Sequence, residues 1–206
     1  MSAELLLDHL AGMKGISARG ERRKIVQSLL HQTNLWDVRK RNLGTFSGGM
    51  KQRFGIAQAL PADPKLIIVD EPTAGLDPAE RNRFLNLLGS IGTSKIVILS
   101  THIVEDVSEL CSRMAIINRG EVLVESAPQQ AIDELAGRMW KKTLAPAEGV
   151  DRYAGLHHIV STHLVGGLTQ IRVFAQRNPA DGFLPTESTI GDVYFLTLNA
   201  ASAVAA

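Results

Sequence analysis

The stretch Leu66–Pro78, LIIVDEPTAGLDP, decides how this chain is read. Leu66, Ile67, Ile68 and Val69 run into two adjacent carboxylates, Asp70 and Glu71; Pro72 then stops the strand and Gly75 permits a turn. A continuous apolar run rich in β-branched residues predicts a strand buried on both faces of a parallel sheet. Carboxylates at the C-terminal end of such a strand lie where open α/β sheets bind ligands. Two adjacent acids repel each other, and a cation relieves that repulsion. Magnesium, a hard ion that prefers oxygen, is the natural candidate. On this reading Asp70 holds the metal, directly or through water, and Glu71 orients or deprotonates an attacking water. Taken alone, the Asp-Glu pair fits a strand ending in a solvated acidic turn equally well.

Upstream lies Thr45–Arg53, TFSGGMKQR. The small residues Ser47, Gly48 and Gly49 precede a predicted helix over Met50–Leu60. Glycines let backbone N–H groups approach a ligand closely, and a helix start turns unpaired N–H groups and a positive dipole end outward. The combination suits a phosphate. An ordinary serine N-cap flanked by glycines explains the same residues without a ligand. Downstream, a helix is predicted over Pro78–Leu88, then a buried strand Lys95–Leu99 (KIVIL) ending in Ser100, Thr101 and His102.

These motifs, in this order and at this spacing, resemble the second half of an ABC-type ATPase nucleotide-binding domain. Ser47-Gly48-Gly49 resembles the family signature, the Asp70-Glu71 strand its Walker B segment, Ala74–Asp77 its D-loop, and His102 its switch histidine. The resemblance implies an α/β fold: a partial P-loop NTPase-like core with a mostly parallel sheet, an N-terminal helical subdomain and a small C-terminal α/β appendage. It implies ATP as ligand, contacted at its γ-phosphate by Ser47, Gly48, Gly49 and Met50, and held mainly by an opposing subunit. It implies that Asp70 supports Mg2+, that Glu71 is the catalytic base, and that His102 contacts the γ-phosphate and senses hydrolysis. Asp77 would lie across a dimer interface. The implied partners are a transmembrane permease and a second nucleotide-binding domain, with the chain on the cytoplasmic face of the membrane.

The chain also departs from the family pattern. Met50 stands where Gln is commoner, and Phe46 where Leu is commoner. No G-x-x-x-x-G-K-S/T phosphate loop is present; the nearest miss, Gly44–Gly49, follows a charged loop instead of a strand, and Met50 separates Gly49 from Lys51. The Gln loop is missing as well. The chain is therefore expected to lack the half of the domain that binds ATP in cis, and to leave an edge of the Leu66–Val69 strand exposed. Two functional classes follow. One is an ATP-hydrolysing transport subunit; the other is a truncated, non-hydrolysing interaction subunit that supplies the signature motif in trans.

Composition narrows the alternatives. The 206 residues are 45% hydrophobic and 21% charged, with a net charge of +1. These are ordinary values for a globular protein, without the basic excess that draws a chain to nucleic acid. No apolar run approaches the roughly 18 residues of a membrane span, and no secretory signal opens the sequence. The single cysteine, Cys111, fits a reducing compartment and reads as a core residue.

Three segments are expected: a helical one over 1–61, a catalytic one over 62–136 and an appendage over 137–206. In the first, helices are predicted over Ala3–Met13, with Leu6, Leu7, Leu10 and Met13 on one face, and over Arg19–His31. The cluster Arg22, Arg23 and Lys24 and the Arg39–Arg41 triplet read as solvated surface. In the second, a helix over Ile103–Leu110 precedes strands Met114–Asn118 and Glu121–Glu125, joined through Asn118-Arg119-Gly120, and Pro128 opens another helix. In the third, strands His158–Leu164 and Leu168–Ala175 flank Gly166-Gly167, and a helix covers Ile190–Leu198. His157, His158 and His163 lack the cysteines or acids of a metal site and read as surface. The tail Ala201–Ala206 reads as frayed.

Overall fold

A computed structural model describes residues 1–204, with side chains through residue 201. The chain forms two compact units, Met1–His102 and Ile103–Ala206.

The first unit opens with three helices: α1 (Ala3–Met13), α2 (Arg19–Gln32) and α3 (Gly48–Ala59). Helix α1 starts on Ser2, whose hydroxyl accepts the Leu5 N–H, and its buried face is Ala3, Leu7 and Ala11. This face differs from the expected one, and Met13 is exposed. The period of 3.6 allows several stripes in a leucine-rich segment, and the one buried here carries Ala3 and Ala11 beside Leu7. Arg23 and Lys24 are exposed, but Arg22 is half-buried: its Nε donates to Asp8 Oδ1 at 2.8 Å and its Nη1 to the Ile16 and Ser17 carbonyls. Arg39 likewise stacks 3.7 Å over the Trp36 ring and donates to the Trp36 carbonyl. Long cationic side chains thus cover apolar surface with their stems while satisfying backbone carbonyls.

Strands β1 (Leu66–Asp70) and β2 (Ile96–Ser100), separated by helix α4 (Pro78–Gly92), pair in parallel from Leu66↔Ile96 to Asp70↔Ser100. Helix α4 buries Phe84, Leu85, Leu87, Leu88 and Ile91, and β1 buries Ile67. The expectation of burial on both faces is corrected here. Leu66, Ile68, Ile96 and Ile98 are exposed, Ile68 by 68% and Ile96 by 64%. A parallel strand is buried twice only where helices cover both faces; here exposed and covered residues alternate along both strands. Among the described residues β1 has β2 as its only strand neighbour, so its other edge is open.

In the second unit, helix α5 (Val104–Leu110) precedes strands β3 (Met114–Asn118) and β4 (Glu121–Ser126), which form an antiparallel hairpin. Arg119 and Gly120 both take positive φ (50° and 83°), as a type I′ turn requires. Cys111, expected in the core, is half-buried at the end of α5, and burial pushes its thiol pKa up. Helix α6 (Pro128–Asp133), strand β5 (Met139–Thr143), the short helix α7 (Asp151–Ala154), and strands β6 (His158–Val165), β7 (Leu168–Phe174) and β8 (Leu184–Pro185) follow. The sheet order is β6-β7-β5-β8, antiparallel throughout. Strand β5 was not anticipated, because MWKKT reads as polar when taken alone. It forms because Met139 is buried in the sheet and Trp140 Nε1 reaches the Ala175 carbonyl. The last helix, α8 (Ile190–Val204), runs beyond its expected end and places Ile190 and Val193 against Ile116 and Ala131. Ala205 and Ala206, the end of the tail expected to fray, lie outside the described residues.

A polar cluster ties the sheet to its loops. Lys142 Nζ donates to Tyr153 Oη at 2.6 Å and to the Asp181 carbonyl at 2.6 Å, while Tyr153 donates to Glu148 Oε1 at 3.0 Å. The bond to Tyr153 holds the Lys142 pKa up, with Asp181 and Glu148 adding to it. The Ala145 N–H and Tyr153 hold Glu148 down, and Lys142 holds Asp181 down. Depressed carboxylate pKa values stabilise the fold above the unfolded carboxylate range, and that contribution disappears as pH falls through the folded values. A raised lysine pKa stabilises below the unfolded lysine value, and its contribution disappears as pH rises through the folded one. Melting of the second unit, followed by Trp140 fluorescence in a Trp36→Phe chain, is therefore expected to hold across neutral pH and fall at both extremes. Lys142→Met should flatten the alkaline limb.

Candidate functional site

The residues singled out at the ends of β1 and β2 come together. The parallel register sets Asp70 beside Ser100, and Ser100 Oγ donates to Asp70 Oδ1. Glu71 continues the ladder by donating its N–H to the Ser100 carbonyl at 2.9 Å. It then turns with φ +45°, a left-handed conformation that costs a non-glycine residue about 1–3 kcal/mol. The turn brings the Glu71 carboxylate to His102: Oε1 accepts the His102 N–H at 3.1 Å, and Oε2 lies 2.7 Å from His102 Nδ1. Backbone strain at the residue that carries the candidate base is the sort of feature found at reactive positions.

Asp70 and Ser100 are both exposed and present oxygen donors on neighbouring strand ends. That donor set fits a hard divalent cation of the kind held by one or two protein oxygens together with substrate phosphates. Among the described residues no group of three or more His, Cys, Asp or Glu could form a metal cage, so the fit is to a metal shared with a ligand.

The glycine-rich motif forms the start of α3. Ser47 is its N-cap, and the hydroxyl accepts the Met50 N–H at 3.2 Å. A Cβ on Gly48 would meet open space, whereas one on Gly49 would collide with the Glu80 carboxylate and lie 3.2 Å from Glu80 Cβ. Gly49 is thus required by the approach of α4, and Gly48 leaves the helix end open to a ligand. Asp77 caps α4 by accepting the Glu80 N–H at 2.9 Å. Its hydrogen bond belongs to its own helix, not to Glu71 or His102. Glu80 belongs to none of the motifs, yet it joins the two helix starts. Its carboxylate meets Arg53 of α3 and, at 2.7 Å, Arg83 Nη1. The signal was present in Arg53, the last residue of TFSGGMKQR, a cation on a helix that buries it. Gly49→Ala is expected to cost about 1–3 kcal/mol, as overpacking does, and Ser47→Ala about 1 kcal/mol for the lost cap. Urea denaturation followed by Trp36 fluorescence reads both.

Residues 3–74 match the family model for the ABC transporter. Nod factor export ATP-binding protein I of Rhizobium etli is 40% identical over 114 residues, 55% of this chain and 36% of that protein. The linearmycin resistance ATP-binding protein LnrL of Bacillus subtilis is 38% identical over 119 residues, 57% of this chain and 38% of that protein. The match therefore spans little more than a third of the length of these relatives. Among solved structures, cbiO1 of Clostridium perfringens, part of the ABC transporter complex cbiONQ, is 28% identical with a TM-score of 0.59. It covers 65% of this chain and 53% of that one. An ABC transporter in an inward-facing conformation, 21% identical with a TM-score of 0.58, shares the fold over 72% of this chain and 63% of its own.

Proposed function

We propose, from the premise that this chain belongs through residues 3–74 to the ATP-binding proteins of ABC transporters, that it takes part in ATP hydrolysis that drives transport through a partner permease. The observation that carries this reading is the meeting of Glu71 and His102 at adjacent strand ends, 2.7 Å apart. Glu71 is the general base: its carboxylate accepts a proton from the attacking water, and His102 orients that carboxylate through its N–H. Ser47, Gly48, Gly49 and Met50 form a helix start at which the Met50 N–H is capped by Ser47, while the N–H groups of Gly48 and Gly49 and the helix dipole favour a γ-phosphate. Asp70, with Ser100 beside it, would hold Mg2+, which when bound neutralises phosphate oxygens. Asp77, which caps α4, faces a second nucleotide-binding domain. The helical segment 1–61 faces the permease on the cytoplasmic side of the membrane; among the described residues no helix is long and apolar enough to cross it.

A second reading is favoured by the open edge and exposed face of the β1/β2 pair. There the chain supplies its signature helix in trans to a complete ATP-binding subunit and hydrolyses nothing alone. ATP turnover by the purified chain separates the two. Turnover by the chain alone supports the hydrolysing role and sinks the trans-acting one. Turnover that appears only on mixing with a complete ATP-binding subunit does the reverse, and none in either case overturns both.

A further inference from the structure

The four-stranded sheet of the second unit treats its two edges differently. One edge is β8, two residues long and ending in Pro185. Short strands and proline are the devices that blunt an edge against further pairing. The other edge is β6, eight residues long, HIVSTHLV, with no Lys, Arg, Asp, Glu or Pro. A bulge near Val160 interrupts its start, but Ser161–Val165 pairs with β7 in unbroken register. Thr162, His163, Leu164 and Val165 are exposed, Leu164 by 77%. In an antiparallel ladder successive residues turn their N–H and C=O groups to alternate sides. The outward set on this segment has no strand partner among the described residues.

We propose that Ser161–Val165 pairs with the same segment of a second copy of this chain, antiparallel across a two-fold axis, joining two four-stranded sheets into one. Two observations select a second copy. A two-fold interface sets a strand against itself, so any fixed charge on it would face its own kind; this segment carries no acid, lysine or arginine. Finally, the blunted β8 edge stops growth on the far side, so the association closes as a dimer and does not extend as a filament. None of this depends on nucleotide, so it stands or falls apart from the proposed ATPase role.

Sedimentation of the full chain without nucleotide, from about 1 µM to about 100 µM, tests it. A monomer–dimer equilibrium is expected. Leu164→Lys and Thr162→Lys should each weaken it by about tenfold or more, with circular dichroism and melting of the monomer unchanged. Ile68→Lys, on the open face of the β1/β2 pair in the first unit, should leave the equilibrium as it was. A monomer at every concentration overturns the proposal. So does a dimer that Ile68→Lys dissociates while Leu164→Lys and Thr162→Lys do not.

Discussion

Glu80→Ala is expected to destabilise the first unit by about 3–5 kcal/mol, the usual cost of breaking a buried ion pair from one side. The Arg53 side chain is 7% exposed and that of Glu80 17%. Removing the carboxylate leaves a guanidinium in the core whose Nε already lacks a hydrogen-bond partner. Water cannot reach Arg53 well enough to replace the lost acceptor. Urea denaturation of a Trp140→Phe chain isolates the first unit, because Trp36 then remains as its reporter. A loss below about 1 kcal/mol would mean that Arg53 finds water or another acceptor. Arg53→Met combined with Glu80→Ala should recover most of the loss, since apolar replacement of a buried pair is often neutral or better. The consequence reaches the candidate site. Glu80 holds the start of α3 against the start of α4, so its loss also releases the Ser47–Met50 turn.

Glu71→Gln is expected to lower ATP turnover by about 10²–10⁴-fold, the contribution of a positioned general base, in whichever assembly turnover is observed. Glutamine keeps the size of the side chain and an oxygen that can accept the His102 N–H. It loses the capacity to take a proton from water. Nucleotide affinity should therefore remain while kcat falls, the signature of an interaction made in the transition state. Equal turnover by the wild-type and Glu71→Gln chains would assign the base elsewhere.

Much of the local structure was legible in the residues. Pro78 after Asp77 announces the start of α4, Asn118-Arg119-Gly120 announces a hairpin, and Gly166-Gly167 announces another. In each case a backbone preference is set by the residue itself and needs no distant partner. The β1 and β2 strands were legible for a similar reason, as β-branched runs bounded by a proline or a turn. Their burial was not. Ile67 and Ile68 are alike as amino acids, yet one is buried and the other exposed. Only the placement of α4 on one face distinguishes them. Strand β5 was missed because Lys141 and Lys142 look like surface; the partner acids and the Tyr153 hydroxyl that settle Lys142 come from residues 148, 153 and 181.

The candidate site divides in the same way. Sequence alone determined its inventory: a serine and glycines at a helix start, two carboxylates at a strand end, and a histidine at the next strand end. These are chemical identities at fixed spacing, and spacing along one strand or one helix carries directly into geometry. The tertiary structure decided which of them meet. It brought Glu71 to His102 through a parallel register between strands whose ends lie 30 residues apart, and it committed Asp77 to its own helix cap. It also recruited Glu80, a residue with no motif around it, to hold two helix starts together. Contacts between segments depend on packing and register, and no single segment encodes those by itself.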